Sequence, residues 1–226
     1  MQRLKILGVA LMAVFALGTV VSTTASAAVS ILPEGKEETW KGEGGAGTLE
    51  MLKGASPIEC KKATAEGTFE ANKPLGSFHI DFKECSAAGG LATCTGLGES
   101  TGVILLLGTF HLVFDKLGTG AELGVGILFL MEKAHLECAG KLFGVEGQLL
   151  CLIKPINEKV KHFEIVCKKG KEGGDPGETV YWNEEGKEVK MGEELFLLSE
   201  NEGKGVMSSL NTTALILTPN VVEIMG

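Results

Sequence analysis

A serine between two glycines is the first pattern in this chain that could carry nucleophilic chemistry. Residues 98–102 read Gly-Glu-Ser-Thr-Gly and match the G-x-S-x-G pattern of a nucleophile elbow. Such an elbow needs a helix after the serine, because the sharp turn exposes the hydroxyl and the helix N-terminus helps to form the oxyanion hole. Here an apolar segment with strand character begins at Val103. The pattern therefore indicates a β-turn before a strand, and we assign no catalytic residue.

Three histidines each stand two residues before an acid: His79 and Asp81, His135 and Glu137, His162 and Glu164. On a strand, both members of such a pair lie on one face, about 7 Å apart. Two adjacent strands could therefore offer imidazole and carboxylate ligands to a metal ion. The residue between each pair is apolar, however, which is typical of a strand with one solvated face. We predict solvated faces and assign no metal or cofactor site.

An aromatic pair, Tyr181-Trp182, could provide a stacking surface for a sugar. Consecutive strand residues point to opposite faces, so at most one of the two rings would reach the surface. The glutamates are too many and too scattered to select a glycosidase pair, which needs a defined separation. The sequence has no phosphate-binding loop, dinucleotide fingerprint or H-E-x-x-H motif.

The chain has six cysteines: Cys60, Cys85, Cys94, Cys138, Cys151 and Cys167. The even number favours disulfides, and the lack of C-x-x-C spacing argues against a zinc ribbon or a thioredoxin-like redox site. Fifteen connectivities are open. A hairpin centred near Gly144 favours Cys138–Cys151, and a Gly-rich loop over 86–93 favours Cys85–Cys94. Cys60 would then reach Cys167, with Cys60–Cys85 and Cys60–Cys94 as alternatives.

The first 27 residues have the pattern of a secretory signal peptide. Arg3 and Lys5 precede an uncharged apolar run over 6–21, and Ala25-Ser26-Ala27 fits the small-x-small cleavage rule. The run is short for a membrane span and lacks a basic stop-transfer flank. We therefore expect a secreted, extracellular protein that begins at Ala28 and has no membrane span in its mature form.

The charge of the mature chain excludes several partners. Without Arg3 and Lys5, the 21 basic residues fall to 19 lysines against 29 acids, a net charge of −10, and no arginine remains. An acidic chain without arginine lacks the basic face and the forked guanidinium that nucleic-acid binding uses. We expect no nucleic-acid partner, and we attribute the acidity to solubility outside the cell.

Alternating apolar and polar residues recur along the mature chain. Phe78, Ile80 and Phe82 share one face of a predicted strand, and Phe163, Ile165 and Cys167 share a face of another. Frequent Gly and Pro breakers separate these runs. Over 28–226 we predict one all-β domain, an antiparallel sandwich or barrel, with a loose leader over 28–47 that holds a short strand around Trp40. Short helical pieces are predicted over 132–142 and 193–198. Residues 184–186 are predicted to connect a hairpin.

Two apolar runs, 103–114 and 123–131, form a predicted hairpin that is apolar on both faces. We interpret it as a central strand pair buried on both sides, with self-association through the 103–131 hairpin as the alternative. A Gly-Thr/Ser-apolar motif starts at Gly47, Gly67, Gly76 and Gly108 with irregular spacing. We interpret these glycines as strand-entry positions.

Seven segments resemble a group of uncharacterised, Gly-rich secreted proteins of soil actinobacteria with no assigned activity: Cys94–Gly98, Gly108–His111, Leu128–Leu130, His135–Cys138, Leu152–Asn157, Tyr181–Lys187 and Val222–Met225. The resemblance implies a secreted bacterial protein of one domain and carries over no site residue. We expect a non-catalytic structural or interaction protein of the bacterial cell exterior, with an unidentified protein or envelope partner. The alternative is a secreted hydrolase or carbohydrate-binding domain.

Overall fold

The computed structural model describes residues 29–32, 36–51, 56–71, 73–115, 124–167, 180–182, 188–190, 196–199 and 204–225. The predicted signal peptide over 1–27 lies outside these residues. Among the described residues there are strands and turns but no helix, and hence no helix that could cross a membrane. The all-β prediction is confirmed.

Sixteen strands make up the described part of the chain. They are β1 Ser30–Leu32, β2 Glu38–Gly44, β3 Gly47–Met51, β4 Ile58–Cys60, β5 Lys62–Phe69, β6 Leu75–Lys83, β7 Ser86–Ala87, β8 Ala92–Gly96, β9 Ile104–Asp115, β10 Gly124–Cys138, β11 Lys141–Lys154, β12 Val160–Cys167, β13 Val180–Trp182, β14 Glu188–Lys190, β15 Phe196–Ser199 and β16 Lys204–Met225.

Eight of these strands close into an antiparallel barrel. In order around the barrel they are β2, β5, β6, β9, β10, β11, β12 and β16. The barrel closes where β16 pairs with β2, from Ala214 opposite Gly44 to Leu217 opposite Lys41. An eight-stranded barrel is just wide enough for its side chains to fill the interior or to enclose one small ligand.

A second closed ring of strand pairs continues from the end of this barrel. It runs β10, β11, β15, β16, β3, β4, β7, β8 and back to β10. Three long strands, of 15, 14 and 22 residues, belong to both rings. At the opposite end of the molecule, β1 pairs with the last residues of β16, and Val222 and Ile224 are fully buried there.

Glycines opposite aromatic rings organise the core of the barrel. Gly67 lies directly opposite Trp40, and Gly76 lies opposite Phe110. Phe78 and Gly108 repeat the arrangement on β6 and β9. A Cβ atom on any of these three glycines would overlap the facing ring and a neighbouring backbone oxygen. The rings therefore occupy the space that the glycines leave open.

The aromatic rings contact one another across the barrel. Phe69 and Phe110 meet edge to face with centroids 5.4 Å apart, and Phe78 and Phe129 meet in the same way at 5.0 Å. Trp40 adds a ring 6.3 Å from Phe110. Edge-to-face pairs of this kind contribute about 0.5–1.5 kcal/mol each beyond the burial of their area.

A β-bulge in β10 preserves the inward alternation at the junction of the two rings. The register with β11 shifts between Met131 and Ala134, which face Gly147 and Val145. Met131 is buried, and Leu136 is fully buried beyond the shift. The extra residue at 132–133 therefore keeps apolar side chains on the inner face of both rings.

The structure corrects three expectations about secondary structure. The leader over 28–47 is not loose at 38–44, because β2 lies between β5 and β16 and Trp40 is 2% exposed in the core. The helix predicted over 132–142 is wrong, because these residues end β10 and begin β11. The helix predicted over 193–198 is also wrong where the structure describes it, since residues 196–198 belong to β15. The apolar residues in these short runs are spaced as in a helix, but the runs form strands because neighbouring strands hydrogen-bond to them.

The glycine motif also has a different role from the one expected. Gly47 begins β3 and Gly76 lies at the start of β6, as strand entry predicts. Gly67 and Gly108, however, lie inside β5 and β9. Gly67, Gly76 and Gly108 each share the inner face with the phenylalanine two residues later. The hydroxyl-bearing residue between glycine and phenylalanine points outward. The outward Thr68 and Ser77 hydroxyls form a hydrogen bond of 3.0 Å.

Two of the three predicted hairpins form where they were expected. β9 and β10 pair from Asp115 opposite Gly124 to Gly108 opposite Met131. The inner face is buried, and so are Val113 and Leu128 on the outer face, but Leu107 is 38% exposed. Burial on both sides therefore holds at one end of the hairpin only. β13 and β14 form the other hairpin, whose loop over 183–187 lies outside the described residues.

Candidate functional site

The G-x-S-x-G residues form the turn between β8 and β9. Gly98 and Gly102 have φ values of 85° and 77°, a conformation that glycine adopts without strain. The Val103 N–H donates to the Ser100 carbonyl at 2.9 Å, and the Gly102 N–H donates to Thr95 Oγ1 at 3.0 Å. The turn leads into a strand, as predicted, and not into a helix.

The three His–acid pairs lie on outer faces of three different strands. On β6, His79 Nε2 is 3.1 Å from Asp81 Oδ1. His162 and Glu164 are exposed on β12, and on β10 Glu137 is exposed while His135 is half-buried. None of these three strands is hydrogen-bonded to another of them. Among the described residues, no three metal-ligating side chains come together. The positions of the three His–acid pairs match the interpretation that each pair lies on the solvated face of its strand.

The backbone of Tyr181 and Trp182 belongs to β13, where Trp182 lies opposite Phe114 of β9. Their side chains fall outside the described part of the structure, so the predicted stacking surface has no described geometry.

All six cysteines form disulfides, but not in the preferred pairing. The bonds are Cys60–Cys85, Cys94–Cys138 and Cys151–Cys167. Cys60–Cys85 is one of the stated alternatives, while Cys138–Cys151, Cys85–Cys94 and Cys60–Cys167 are wrong. Each bond joins two segments that lie side by side, with Cα atoms 4.0–4.3 Å apart.

The turn position explains the first error. β10 and β11 turn at Ala139-Gly140, both with positive φ, rather than near Gly144. Cys138 therefore faces Lys141, and Cys151 faces Ile127 far along the hairpin. The strand neighbouring Cys151 on its other side is β12, which carries Cys167.

A row of four cysteines explains the second error. Cys85 and Cys94 do face each other, and the Cys94 N–H donates to the Cys85 carbonyl at 3.0 Å. Cys60 lies on the far side of Cys85, and Cys138 lies on the far side of Cys94. A Cys85–Cys94 bond would leave Cys60 and Cys138 without a partner, because they lie on β4 and β10, which are not neighbours. Only the observed pairing uses all four.

An ion-pair cluster lies beside this row. Glu84, which precedes Cys85, contacts Lys62 Nζ at 2.7 Å and Lys61 Nζ at 3.2 Å. The hydrogen bond from Lys62, and then that from Lys61, lowers the pKa of the Glu84 carboxyl below its ordinary value. These groups are solvated, so they contribute little to stability.

An outward-facing groove crosses the β10 bulge, and we call it the bulge groove. It lies between the β8–β9 turn and β10, and its empty volume, open part included, is about 590 Å³. Leu97, which is 57% exposed, and Leu107 give it apolar surface. Its charged and polar side chains are Glu99, Glu132, Lys133 and His135.

Main-chain hydrogen bonds fix the two walls of the bulge groove. The Leu97 N–H donates to the His135 carbonyl at 2.9 Å, which ties the turn to β10. The Gly96 N–H donates to the Val103 carbonyl at 2.7 Å, which ties the turn to the start of β9. The sequence pointed to Ser100 and His135 in this region but not to the groove itself, because a bulge has no period-two signature.

A second cavity, which we call the barrel cavity, lies inside the first ring. The space in it that water molecules can enter is about 50 Å³. One wall is built from small residues on three adjacent strands: Gly44, Ala63, Ala65 and Ala214. The facing wall carries larger apolar side chains, among them Phe129, Met131, Leu149 and Ile165.

Two polar atoms in the lining of the barrel cavity have no hydrogen-bond partner among the described residues. They are Trp40 Nε1 and Thr212 Oγ1, and both atoms are buried. Buried polar groups are nearly always paired in folded proteins, so unpaired ones point to a strained, catalytic or ligand-binding role.

Comparison with known proteins found no match: the chain matches no protein-family model, no curated protein and no solved structure.

Proposed function

We propose that the protein is a secreted, non-catalytic interaction protein of the bacterial cell exterior. Three disulfides are typical of an oxidising, extracellular compartment. The signal-peptide pattern and the resemblance to secreted actinobacterial proteins support the same compartment. Two closed rings provide a rigid support for a contact surface.

The observation that carries the interaction role is the bulge groove. Leu97 and Leu107 are large apolar side chains that a monomer leaves exposed in one groove. Charged side chains border them at Glu99, Glu132 and Lys133. Apolar surface with a polar rim marks contact sites for other proteins. The partner we infer is a protein of the cell exterior.

Binding to envelopes tests this role. Labelled secreted protein is incubated with envelopes isolated from the producing bacterium, and the bound fraction is measured by sedimentation over a range of concentrations. We expect saturable binding that the double variant Leu97→Glu, Leu107→Glu weakens about tenfold or more, equivalent to about 1.4 kcal/mol. The matched control is Leu215→Glu, Leu217→Glu, two exposed leucines of β16 outside the groove. Equal loss in both variants, or no binding, would reject the proposal.

A hydrolase is the second candidate, because the bulge groove contains two carboxylates and an imidazole. Glu99, Glu132 and His135 line the same open space. Purified protein is therefore assayed against chromogenic glycosides and esters, with Glu99→Gln and Glu132→Gln as variants. Turnover that either variant abolishes would replace the non-catalytic proposal with this one.

A further inference from the structure

The bulge groove is a gap that opens where β10 changes partner. β10 pairs with β9 as far as Met131 and pairs with β8 from Leu136 onwards. Residues 132–135 between these points have no partner strand on that side within the described part of the chain. Four residues of strand span about 13 Å, and the space in the groove that water molecules can enter is about 240 Å³. The groove therefore has room for a long side chain of another molecule.

The apolar part of the bulge groove suits the stem of such a side chain. Leu97 of the β8–β9 turn and Leu107 of β9 are both exposed, and Leu105 also lines the space. Lysine and arginine side chains lay their methylene stems along apolar surface while the charged head stays in water. The leucines therefore offer a contact to the stem and leave the head free to reach the rim.

Two carboxylates of the bulge groove have no counter-charge within the described part of the chain. Glu99 is half-buried in the β8–β9 turn, and Glu132 is exposed at the bulge. The ion pairs between described residues include neither of them, so neither is paired with Lys133 or His135 in the same lining. A cationic group that enters the groove would supply the charge that these carboxylates lack.

The surroundings of the bulge groove are acidic as well. Asp81 of β6, which contacts His79, lies opposite Leu105 on the outer face. The whole chain has a net charge of −8. Such a field attracts a basic partner before contact, and complementary charges at the contact fix its position.

We propose that the bulge groove receives a basic segment of the partner protein. A lysine or arginine side chain of that segment lies with its stem on Leu97 and Leu107, and its cationic head contacts Glu99 and Glu132. The inference rests on the interaction role proposed above and adds the chemistry of the partner. The contact is non-covalent, so its signature is a dependence of binding on salt.

Neutralising the two carboxylates tests the charge. In the envelope-binding assay, we expect Glu99→Gln, Glu132→Gln to weaken binding about fivefold at about 0.05 M salt. We also expect it to remove most of the salt dependence that the unaltered protein shows up to about 0.5 M. The matched control is Glu43→Gln, Glu164→Gln, because these exposed glutamates flank the exposed Leu215 outside the groove. Equal weakening in the two double variants would overturn the proposal.

The leucine variants separate this proposal from the interaction role. If Leu97→Glu, Leu107→Glu loses binding while Glu99→Gln, Glu132→Gln binds as the unaltered protein does, the interaction role stands and the basic segment is overturned. Protease digestion of the envelopes should abolish binding. Binding that survives digestion would come from a cation that no protein carries, and it would also overturn the basic segment.

A pair of peptides tests the bulge groove without the envelope. The acetylated and amidated peptide Ala-Leu-Lys-Leu-Ala is compared with its norleucine counterpart, which keeps the stem but lacks the charge. Each is titrated onto isotope-labelled secreted protein and followed by NMR. We expect the lysine peptide to shift the signals of Leu97 and Leu107 and to bind several-fold more tightly, a preference that Glu99→Gln, Glu132→Gln removes. Equal affinity of the two peptides, or no shift at the two leucines, would overturn the proposal.

Discussion

Glycine acts in this barrel as the partner of an aromatic ring. In each Gly-Thr/Ser-Phe segment the period of two places glycine and phenylalanine on the same inner face. The ring of the neighbouring strand then covers the glycine, as Phe110 covers Gly76. The sequence showed the repeated motif and the inward phenylalanines. It could not show which ring faces which glycine, because that depends on the register between strands distant in the chain.

Adding one methyl group beneath Trp40 should therefore be costly. We expect Gly67→Ala to destabilise the protein by about 1–3 kcal/mol, because the new Cβ overlaps the indole ring and the Ser77 carbonyl oxygen. The measurement is urea unfolding followed by circular dichroism. Gly45→Ala is the control, since nothing lies within 4 Å of its Cβ position, and it should change stability by less than about 0.5 kcal/mol. Similar losses in the two variants would contradict the glycine–aromatic account.

Glu84 gives a prediction about pH. Its folded-state pKa is lowered by Lys62 and Lys61, so its small stabilisation is fully present above the ordinary carboxyl value of 4.5 and is lost as pH falls through the lowered pKa. We expect the stability difference between the wild type and Glu84→Gln to be constant from pH 8 to about pH 5 and to shrink below that. Urea midpoints at several pH values measure it. A difference that grows towards low pH would have the wrong sign.

At the scale of elements, cysteine pairing followed strand adjacency and not distance along the chain. The sequence predicted that all six cysteines would be oxidised, which the structure confirms. The pairing needed two facts that the alternation of apolar and polar residues does not show. One is the tight turn at Ala139-Gly140, and the other is that β8 pairs with β10, far from it in sequence.

The disulfides should differ in their contribution according to the loop that each closes. In the chain-entropy model, replacing Cys94 and Cys138 by alanine removes a 44-residue constraint and should cost about 4 kcal/mol, while replacing Cys151 and Cys167 removes one of 16 residues and should cost about 3 kcal/mol. Urea unfolding of the two double variants measures both. Non-reducing peptide mapping should first recover these two bonds and Cys60–Cys85. A Cys85–Cys94 peptide would contradict the structure.

At the scale of the whole molecule, the sequence predicted an antiparallel all-β domain but left sandwich and barrel open. The choice depends on a single pairing, that of β16 with β2, between residues about 170 positions apart. Period-two patterns describe the faces of a strand and not its neighbours, so they could not distinguish a closed ring from two packed sheets. The barrel cavity was hidden for the same reason, because its small wall comes from three separate segments.

The signal-peptide pattern over residues 1–27 predicts that the chain is cleaved. We expect N-terminal sequencing of protein recovered from the culture medium to begin at Ala28, because Ala25-Ser26-Ala27 fits signal-peptidase cleavage. Protein that retains Arg3 in the medium would contradict the predicted processing. Replacing Ala25 and Ala27 by leucine should block cleavage, while the same change at Ala16, inside the apolar run, should leave it intact.

The 22-residue strand β16 has a consequence for the order of events during synthesis. It is the last of the sixteen described strands to be made, yet it supplies a neighbour to β2 and β12 in one ring and to β3 and β15 in the other. Until it emerges, both rings keep open edges, and no half of the protein can finish folding ahead of the other. Neither ring can therefore become complete before the final strand is made, and both become complete together.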